Sequence, residues 1–176
     1  MAKDISQLVP TLRKKMEQAD KSSFEMNLPK FDFSKVNYKI NAVDLDQNGF
    51  EAAFQKEHEK AVIEIGRQLE GYLKQLMQAS WDWADGKRDI IDTGELMRSG
   101  GVLVSGDDIS VAYDSPYAGL VHYGGYITPY GNPSAARVYL PGRPWIAAAF
   151  GLAPGPLPKF DMEGAYLRYM DGITIA

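Results

Sequence analysis

Several features are absent from this chain of 176 residues. There is no cysteine, which excludes disulfide bonds, thiolate nucleophiles and zinc sites built on cysteine. No apolar run approaches the ~18–20 residues that a membrane-spanning helix needs, and the first residues contain no apolar run of signal-peptide length. We therefore expect a soluble protein that is made in a cytoplasm and has no membrane partner.

An excess of positive charge is also absent. Lysine and arginine number 19 against 23 aspartate and glutamate, which gives a net charge of −4. A general nucleic-acid binder needs a basic stripe to neutralise phosphates, so this balance argues against that class. A mildly acidic protein can still line a channel through which DNA slides without sticking.

The N-terminal region, residues 1–47, is expected to combine a helix with an extended arm. Apolar residues recur at every third or fourth position within residues 4–20, which is typical of an amphipathic helix. The alternation around Phe31, Phe33 and Val36 favours an extended arm after that helix. Such an arm would need a partner surface to cover its aromatic side chains.

The central region, residues 48–150, is expected to be the core domain. Its longest predicted element is a helix over residues 48–80, in which apolar residues keep helical spacing at Phe50, Phe54, Ala61, Ile65, Leu69, Leu73 and Leu76. At ~1.5 Å per residue this helix is about 45–50 Å long. It needs a sheet along its flank, or neighbouring subunits, to cover its apolar stripe.

A short helix is predicted after the long one. Asp92 is a good N-cap residue, and Glu95 three positions later completes a capping box. Gly100 and Gly101 are expected to end the helix, because glycine adopts the left-handed C-cap conformation without penalty.

Short strands are predicted at residues 102–105, 109–113 and 138–140. A tight turn at 106–108 joins the first two into a hairpin, whereas residues 117–123 are ambiguous between a helix and a strand. Pro144 is suited to the first turn of a brief helix through Phe150. Together these elements predict a chain that combines one long helix with short helices and short strands.

Two proline- or glycine-rich segments complete the chain. Residues 124–136 form a predicted loop long enough to indicate a functional role. Residues 151–176 contain three prolines that favour an extended C-terminal tail, at Pro154, Pro156 and Pro158.

Candidate catalytic and metal-binding residues have simpler structural explanations. His122 lacks the motif of a nucleophile elbow or a second histidine at metal-ligand spacing, and packing or an interface hydrogen bond is favoured. His58 lies among charged neighbours and is predicted to be solvated. Capping accounts for Asp92 and Glu95 without chemistry. We therefore predict no enzyme activity, no catalytic residue and no cofactor.

A calcium site is also not expected. Residues 44–49 open like an EF-hand loop, but the twelfth position, where a bidentate glutamate is needed, is Gln55. A polar turn that caps the long helix explains the segment, so no metal site is predicted.

Aromatic residues are abundant, with ten tyrosines and three tryptophans. Tyrosine and tryptophan favour interfaces because one end packs while the other bonds to water or a partner, and arginine can pair with acids on a neighbouring chain. The residues predicted to contact partners are Phe31, Phe33, Tyr126, Ile127, Tyr130, Arg143, Trp145 and Phe160.

An ordered set of motifs extends over about residues 50–150. The long helix precedes DTGELMRS at 92–99, the hairpin follows, and then come SPYA at 115–118, VHYG at 121–124 and RPW at 143–145. In this order the motifs resemble the tail-completion (neck) proteins of long-tailed bacteriophages, a group of virion-morphogenesis proteins located between head and tail.

The resemblance implies an α+β fold in which the long helix packs on a small antiparallel β-sheet. It also implies a non-enzymatic subunit of a homo-oligomeric ring, a hexamer or dodecamer, at the head–tail junction of the virion. The ring would be assembled in the host bacterial cytoplasm. It would stack on neighbouring neck, portal-adaptor and tail-tube or tail-terminator proteins, and DNA would pass through its lumen without specific binding.

Three alternatives stay open at this point. A tail terminator or head-closure protein would have a similar subunit shape. A small cell-wall hydrolase would depend on Glu95 or His122, and a host-binding module would act as a monomer.

Overall fold

The structure is a computed structural model, and the part of the chain that it describes excludes several segments. The predicted N-terminal helix, Asp92 and Tyr130 lie outside the described residues. The described residues are 24–26, 28, 30–43, 46–83, 86–88, 94–127, 134 and 136–175.

The long helix is the central element of the fold and confirms the prediction from periodicity. Helix α1 spans Gln47–Gln78. The Asp46 side chain caps its start by accepting a hydrogen bond from the Gly49 amide at 2.7 Å. Its buried positions follow one helical stripe: His58, Ala61, Val62, Ile65, Gly66, Leu69, Leu73, Leu76 and Met77.

A three-stranded antiparallel sheet packs against α1, as the fold class predicted. Its strands are β1 (Phe24–Met26), β5 (Gly100–Ser105) and β6 (Asp108–Tyr113), in the order β1–β6–β5. Register places Ser105 opposite Asp108, so the predicted hairpin turn consists of two residues. Helix α1 approaches β5 closely, because a Cβ at Gly66 would lie 2.5 Å from a methyl group of Val104.

The short helix before β5 is capped differently from the prediction. Helix α2 spans Glu95–Ser99, and its N-cap is Gly94 in a left-handed conformation with φ 74° rather than Asp92. Gly100 is extended rather than left-handed, with φ −135°, so the chain passes directly from α2 into β5. Gly100 is needed for another reason, because a Cβ there would lie 2.1 Å from the ring of Tyr113.

The remaining elements surround this centre. Helix α3 (Ala118–Tyr123) resolves the ambiguous segment as helical, and the hairpin β7 (Gly124–Ile127) and β8 (Val138–Pro141) follows it. Helix α4 (Trp145–Ala149) begins after Pro144. Two short antiparallel strands, β3 and β4, follow α1 at Trp81–Trp83 and Gly86–Arg88.

The described parts of the predicted arm and tail fold back onto the core. Helix α5 (Met162–Met170) packs on α1, and its Tyr166 forms a buried cluster with Phe33 and Val36 of the arm. Strand β2 (Asn41–Ala42) pairs in parallel with β9 (Thr174–Ile175). The tail is therefore not a wholly extended segment, because its apolar side chains pack against the long helix.

A buried polar network connects three of these elements. The His58 ring nitrogens lie 2.7 Å from the Tyr166 hydroxyl and 2.8 Å from a carboxylate oxygen of Asp107. The prediction of a solvated His58 is wrong, because α5 and the turn between β5 and β6 cover its ring and leave it 8% exposed. The network ties the tail and the sheet to the N-terminal half of α1.

Replacing His58 with alanine is expected to destabilise the protein by about 1–3 kcal/mol, because the buried Tyr166 hydroxyl loses its hydrogen bond to the His58 ring. Urea unfolding measures this change. The neighbouring and exposed Glu59→Ala substitution is the matched control and should alter the free energy of unfolding by less than ~0.5 kcal/mol. Equal effects at the two positions would contradict a structural role for the network.

Candidate interaction surface

Three of the residues predicted to contact partners are buried inside the subunit. Trp145 packs edge-on against Tyr113 and His122, with ring centroids 5.4 and 5.1 Å apart. Phe33 packs against Tyr166 at 4.8 Å. These two side chains are therefore core residues, and they present no surface to a partner in this conformation.

Arg143 is buried for a different reason. Its guanidinium donates hydrogen bonds to the backbone carbonyl of Pro141 and, at 2.8 Å, to that of Asp82. The side chain is 1% exposed, so the expected pairing with an acid on another chain is replaced by bonds that connect β8 to the segment after α1. Sequence analysis could not distinguish these roles, because arginine serves both equally well.

Phe31 and Phe160 are half-buried at the edges of the core. The Phe31 ring contacts Phe33 at a centroid distance of 4.8 Å, and Phe160 contacts Tyr72 at 5.6 Å. Part of each ring remains accessible, so a partner contact at either position stays a prediction.

Among the predicted partner-contacting residues and the residues beside them, the most exposed aromatic side chains lie on the β7–β8 hairpin. Tyr126 is 68% exposed and Tyr139 is 53% exposed, and these two residues lie directly opposite each other in the hairpin. Their rings pack edge-on with centroids 5.3 Å apart. Tyr123 and Val138 are also exposed. We call Tyr123, Tyr126, Val138 and Tyr139 the hairpin surface.

Glycines fix the position of this hairpin. Gly124 has φ +81°, and a Cβ there would lie 2.5 Å from the amide nitrogen of Gly142. A Cβ at Gly142 would in turn meet the Tyr123 backbone at 2.5 Å. The two backbones can cross this closely only without side chains. The crossing anchors the hairpin at the end of α3 while its tyrosines stay exposed.

The hairpin has little charge to keep it soluble. Between residues 123 and 141 the sequence contains a single charged side chain, Arg137, and no acid. Ile127, the other described residue of the predicted set in this segment, is half-buried opposite Val138. Exposed apolar surface of this kind marks interaction sites in soluble proteins.

Tyr139 and Val138 were missed by the sequence analysis as interface candidates. Two features of the sequence could have identified them: residues 123–141 contain a single charged side chain, and residues 138–140 have a strand pattern. Pairing of this strand with β7 then places Tyr139 beside Tyr126.

His122 and Glu95 are the residues on which a hydrolase would depend, and both make contacts within the subunit. His122 is 1% exposed, and burial lowers its pKa to about 4. The Glu95 carboxylate accepts a hydrogen bond from the Tyr117 hydroxyl at 2.5 Å.

In the described part of the chain, no group of three or more histidine and carboxylate side chains is arranged to hold a metal ion. None of its helices is both long and apolar enough to cross a membrane.

Comparison of the chain with protein-family models, curated proteins and solved structures gives no match.

Substitutions should separate the exposed residues from the buried ones. Tyr139→Ser is expected to cost less than ~1 kcal/mol, the scale of a cross-strand pair, whereas Trp145→Ala should cost about 3–5 kcal/mol because it leaves a cavity in the core. Denaturant unfolding of the two variants measures both values. A large loss for Tyr139→Ser would show that the hairpin surface supports the fold rather than a contact.

His122 should make stability depend on pH. The unfolded chain binds a proton at this histidine below its usual pKa of 6.5, but the folded chain does so only near pH 4. The free energy of unfolding should therefore fall by about 3 kcal/mol as the pH drops through this window.

The matched measurement compares the parent with His122→Gln, because other titrating groups cancel in the difference between the two pH profiles. The variant should lose the part of the pH dependence between pH 6.5 and 4. Parallel profiles for the two proteins would contradict the assignment.

Proposed function

We propose that this chain is a structural protein of the bacteriophage neck that forms a ring at the head–tail junction, completes the tail and connects it to the portal complex. The hairpin surface is the observation that supports this proposal most directly. It holds exposed tyrosines on the paired strands of a nearly uncharged hairpin, and such a surface is suited to permanent contact with other proteins.

The fold is consistent with the family picture that the sequence motifs suggest. The motif at 92–99 leads into the sheet through α2, and the motif at 121–124 joins α3 to the hairpin. The motif at 143–145 positions Arg143 and Trp145 in the core. Two of the motifs therefore support the hairpin from either side, while the hairpin itself remains available to a partner.

The proposed role is that of an adaptor. Neighbouring subunits or stacked rings bury the hairpin surface, and this burial supplies the free energy of assembly, at about 25 cal/mol for each Å² of apolar surface removed from water. The net charge of −4 suits a wall that repels the DNA moving through the lumen. The chain then acts by shape and contact, without catalysis.

The folding of the arm and tail onto the core refines this proposal. Phe33 and Tyr166 are covered within the subunit, so these segments do not have to be covered by partners. We therefore assign the partner contacts to the hairpin surface and to the partly accessible rings of Phe31 and Phe160.

The proposal is tested by removing the chain from phage particles. Particles made without it should yield DNA-filled heads and separate tails that do not join, as seen by electron microscopy. Supplying the parent chain or Val43→Ser, which changes an exposed apolar residue outside the hairpin, should restore infectious virions. Supplying the double variant Tyr126→Ser, Tyr139→Ser should not.

Cryo-electron microscopy of the restored particles provides the decisive observation. The chain should form a ring between the portal complex and the tail. Its absence from this position, or normal virions without it, would overturn the proposal, and a position on the tail side or the head side of the junction would distinguish a tail terminator from a head-closure protein.

A further inference from the structure

A second open surface lies beside β6. It is a pocket of about 310 Å³ whose apolar wall includes Phe31, Ile109, Phe150 and Met162, and whose rim carries Asp108. Its volume is at the lower end of the ~300–1,000 Å³ typical of ligand pockets. It is therefore sized for one or two bulky side chains. We call it the β6 pocket.

The β6 pocket and the hairpin surface are two different surfaces of the subunit. Asp107, in the pocket lining, bonds to His58 in the N-terminal half of α1. Arg143, at the base of the hairpin, bonds to the carbonyl of Asp82 beyond the helix C-terminus. No described residue belongs to both surfaces.

The two surfaces are complementary in polarity. The hairpin offers Tyr126 and Tyr139, with Arg137 two residues before Tyr139 as the only charge between residues 123 and 141. The pocket offers an apolar wall, the carboxylates of Asp107 and Asp108, and the Lys30 ammonium group. Asp108 pairs with Lys30 at 3.2 Å, but both side chains are largely exposed. Such a pair is weak, so the carboxylate can accept a second cation.

We propose that the β6 pocket receives the hairpin surface of a second copy of this chain, with Arg137 of one copy beside Asp108 of the next. The inference rests on the proposed function and names the partner of the hairpin surface. Two different surfaces on one molecule give a head-to-tail interface, which closes into a ring when the rotation between copies allows it. The occupant is a second copy because the chain itself presents the aromatic and basic side chains that the pocket fits.

A mixing experiment tests this interface. Asp108→Lys impairs the pocket, and the double variant Tyr126→Ser, Tyr139→Ser impairs the hairpin. Each variant alone should be monomeric by light scattering at concentrations where the parent assembles, with the dissociation constant raised on the order of tenfold or more, as for the loss of an anchor. An equimolar mixture should form heterodimers and nothing larger, because only one intact hairpin and pocket can meet.

Two control variants keep both surfaces intact. Glu59→Lys makes the same charge change as Asp108→Lys at an exposed position of α1, and Val43→Ser removes an exposed apolar side chain outside the hairpin. Both should assemble like the parent. Far-ultraviolet circular dichroism establishes that each variant is folded.

Cross-linking gives a second readout that is independent of these variants. The chain has no cysteine, so a mixture of Arg137→Cys and Asp108→Cys proteins should form one disulfide-linked heterodimer under mild oxidation. Neither protein alone should form a homodimer to the same extent. Absence of the mixed disulfide would count against the proposed register.

The outcomes separate this proposal from the proposed function. Assembly of Asp108→Lys as efficiently as the parent, or a parent that stays monomeric at every concentration, would overturn the hairpin-in-pocket interface and leave the neck proposal to be decided in particles. Particles that lack the chain at the head–tail junction would overturn the neck role, whatever the solution interface.

Discussion

Burial of one stripe of α1 is the constraint on which the rest of the structure depends. Ile65, Leu69 and Leu76 are fully buried, and each such side chain contributes about 1.5–3 kcal/mol by leaving water. No single neighbour covers a stripe of this length. The C-terminal half packs in a cluster with β5, β6 and α4, and the N-terminal half packs with the arm and α5. Burial of the N-terminal half of the stripe therefore depends on the arm and the tail packing against the helix.

The elements that could be predicted from the sequence are those whose signal is local. The 3.6-residue period of α1 and the two-residue period of β5 and β6 are properties of contiguous segments. The predicted bounds of these elements therefore agree closely with the structure. The environment of His58 could not be predicted, because the residues that cover it, Asp107 and Tyr166, lie 49 and 108 positions away. The requirement for glycine at position 100 is also non-local, because a Cβ there would clash with the ring of Tyr113.

The candidate surface was only partly predictable for the same physical reason. Aromatic content indicates that some rings meet a partner, but it cannot separate Tyr126 from Trp145, since exposure depends on which face the other elements cover. Arg143 illustrates the difficulty further, because its guanidinium satisfies backbone carbonyls that lie far apart in the sequence. The scarcity of charge between residues 123 and 141 is a signal that the sequence does contain, but only the strand register places Tyr139 beside Tyr126.

Helix α1 also bears on how copies would be arranged. It connects the two surfaces within one subunit, because His58 bonds to Asp107 in the pocket lining and the Trp81 indole, next to Asp82, donates a hydrogen bond to the Leu76 carbonyl. If the hairpin of one copy occupies the pocket of the next, the angle between copies is fixed wherever the two surfaces are fixed, and that angle decides whether a ring closes. The same buried stripe that folds the subunit would then also define the assembly.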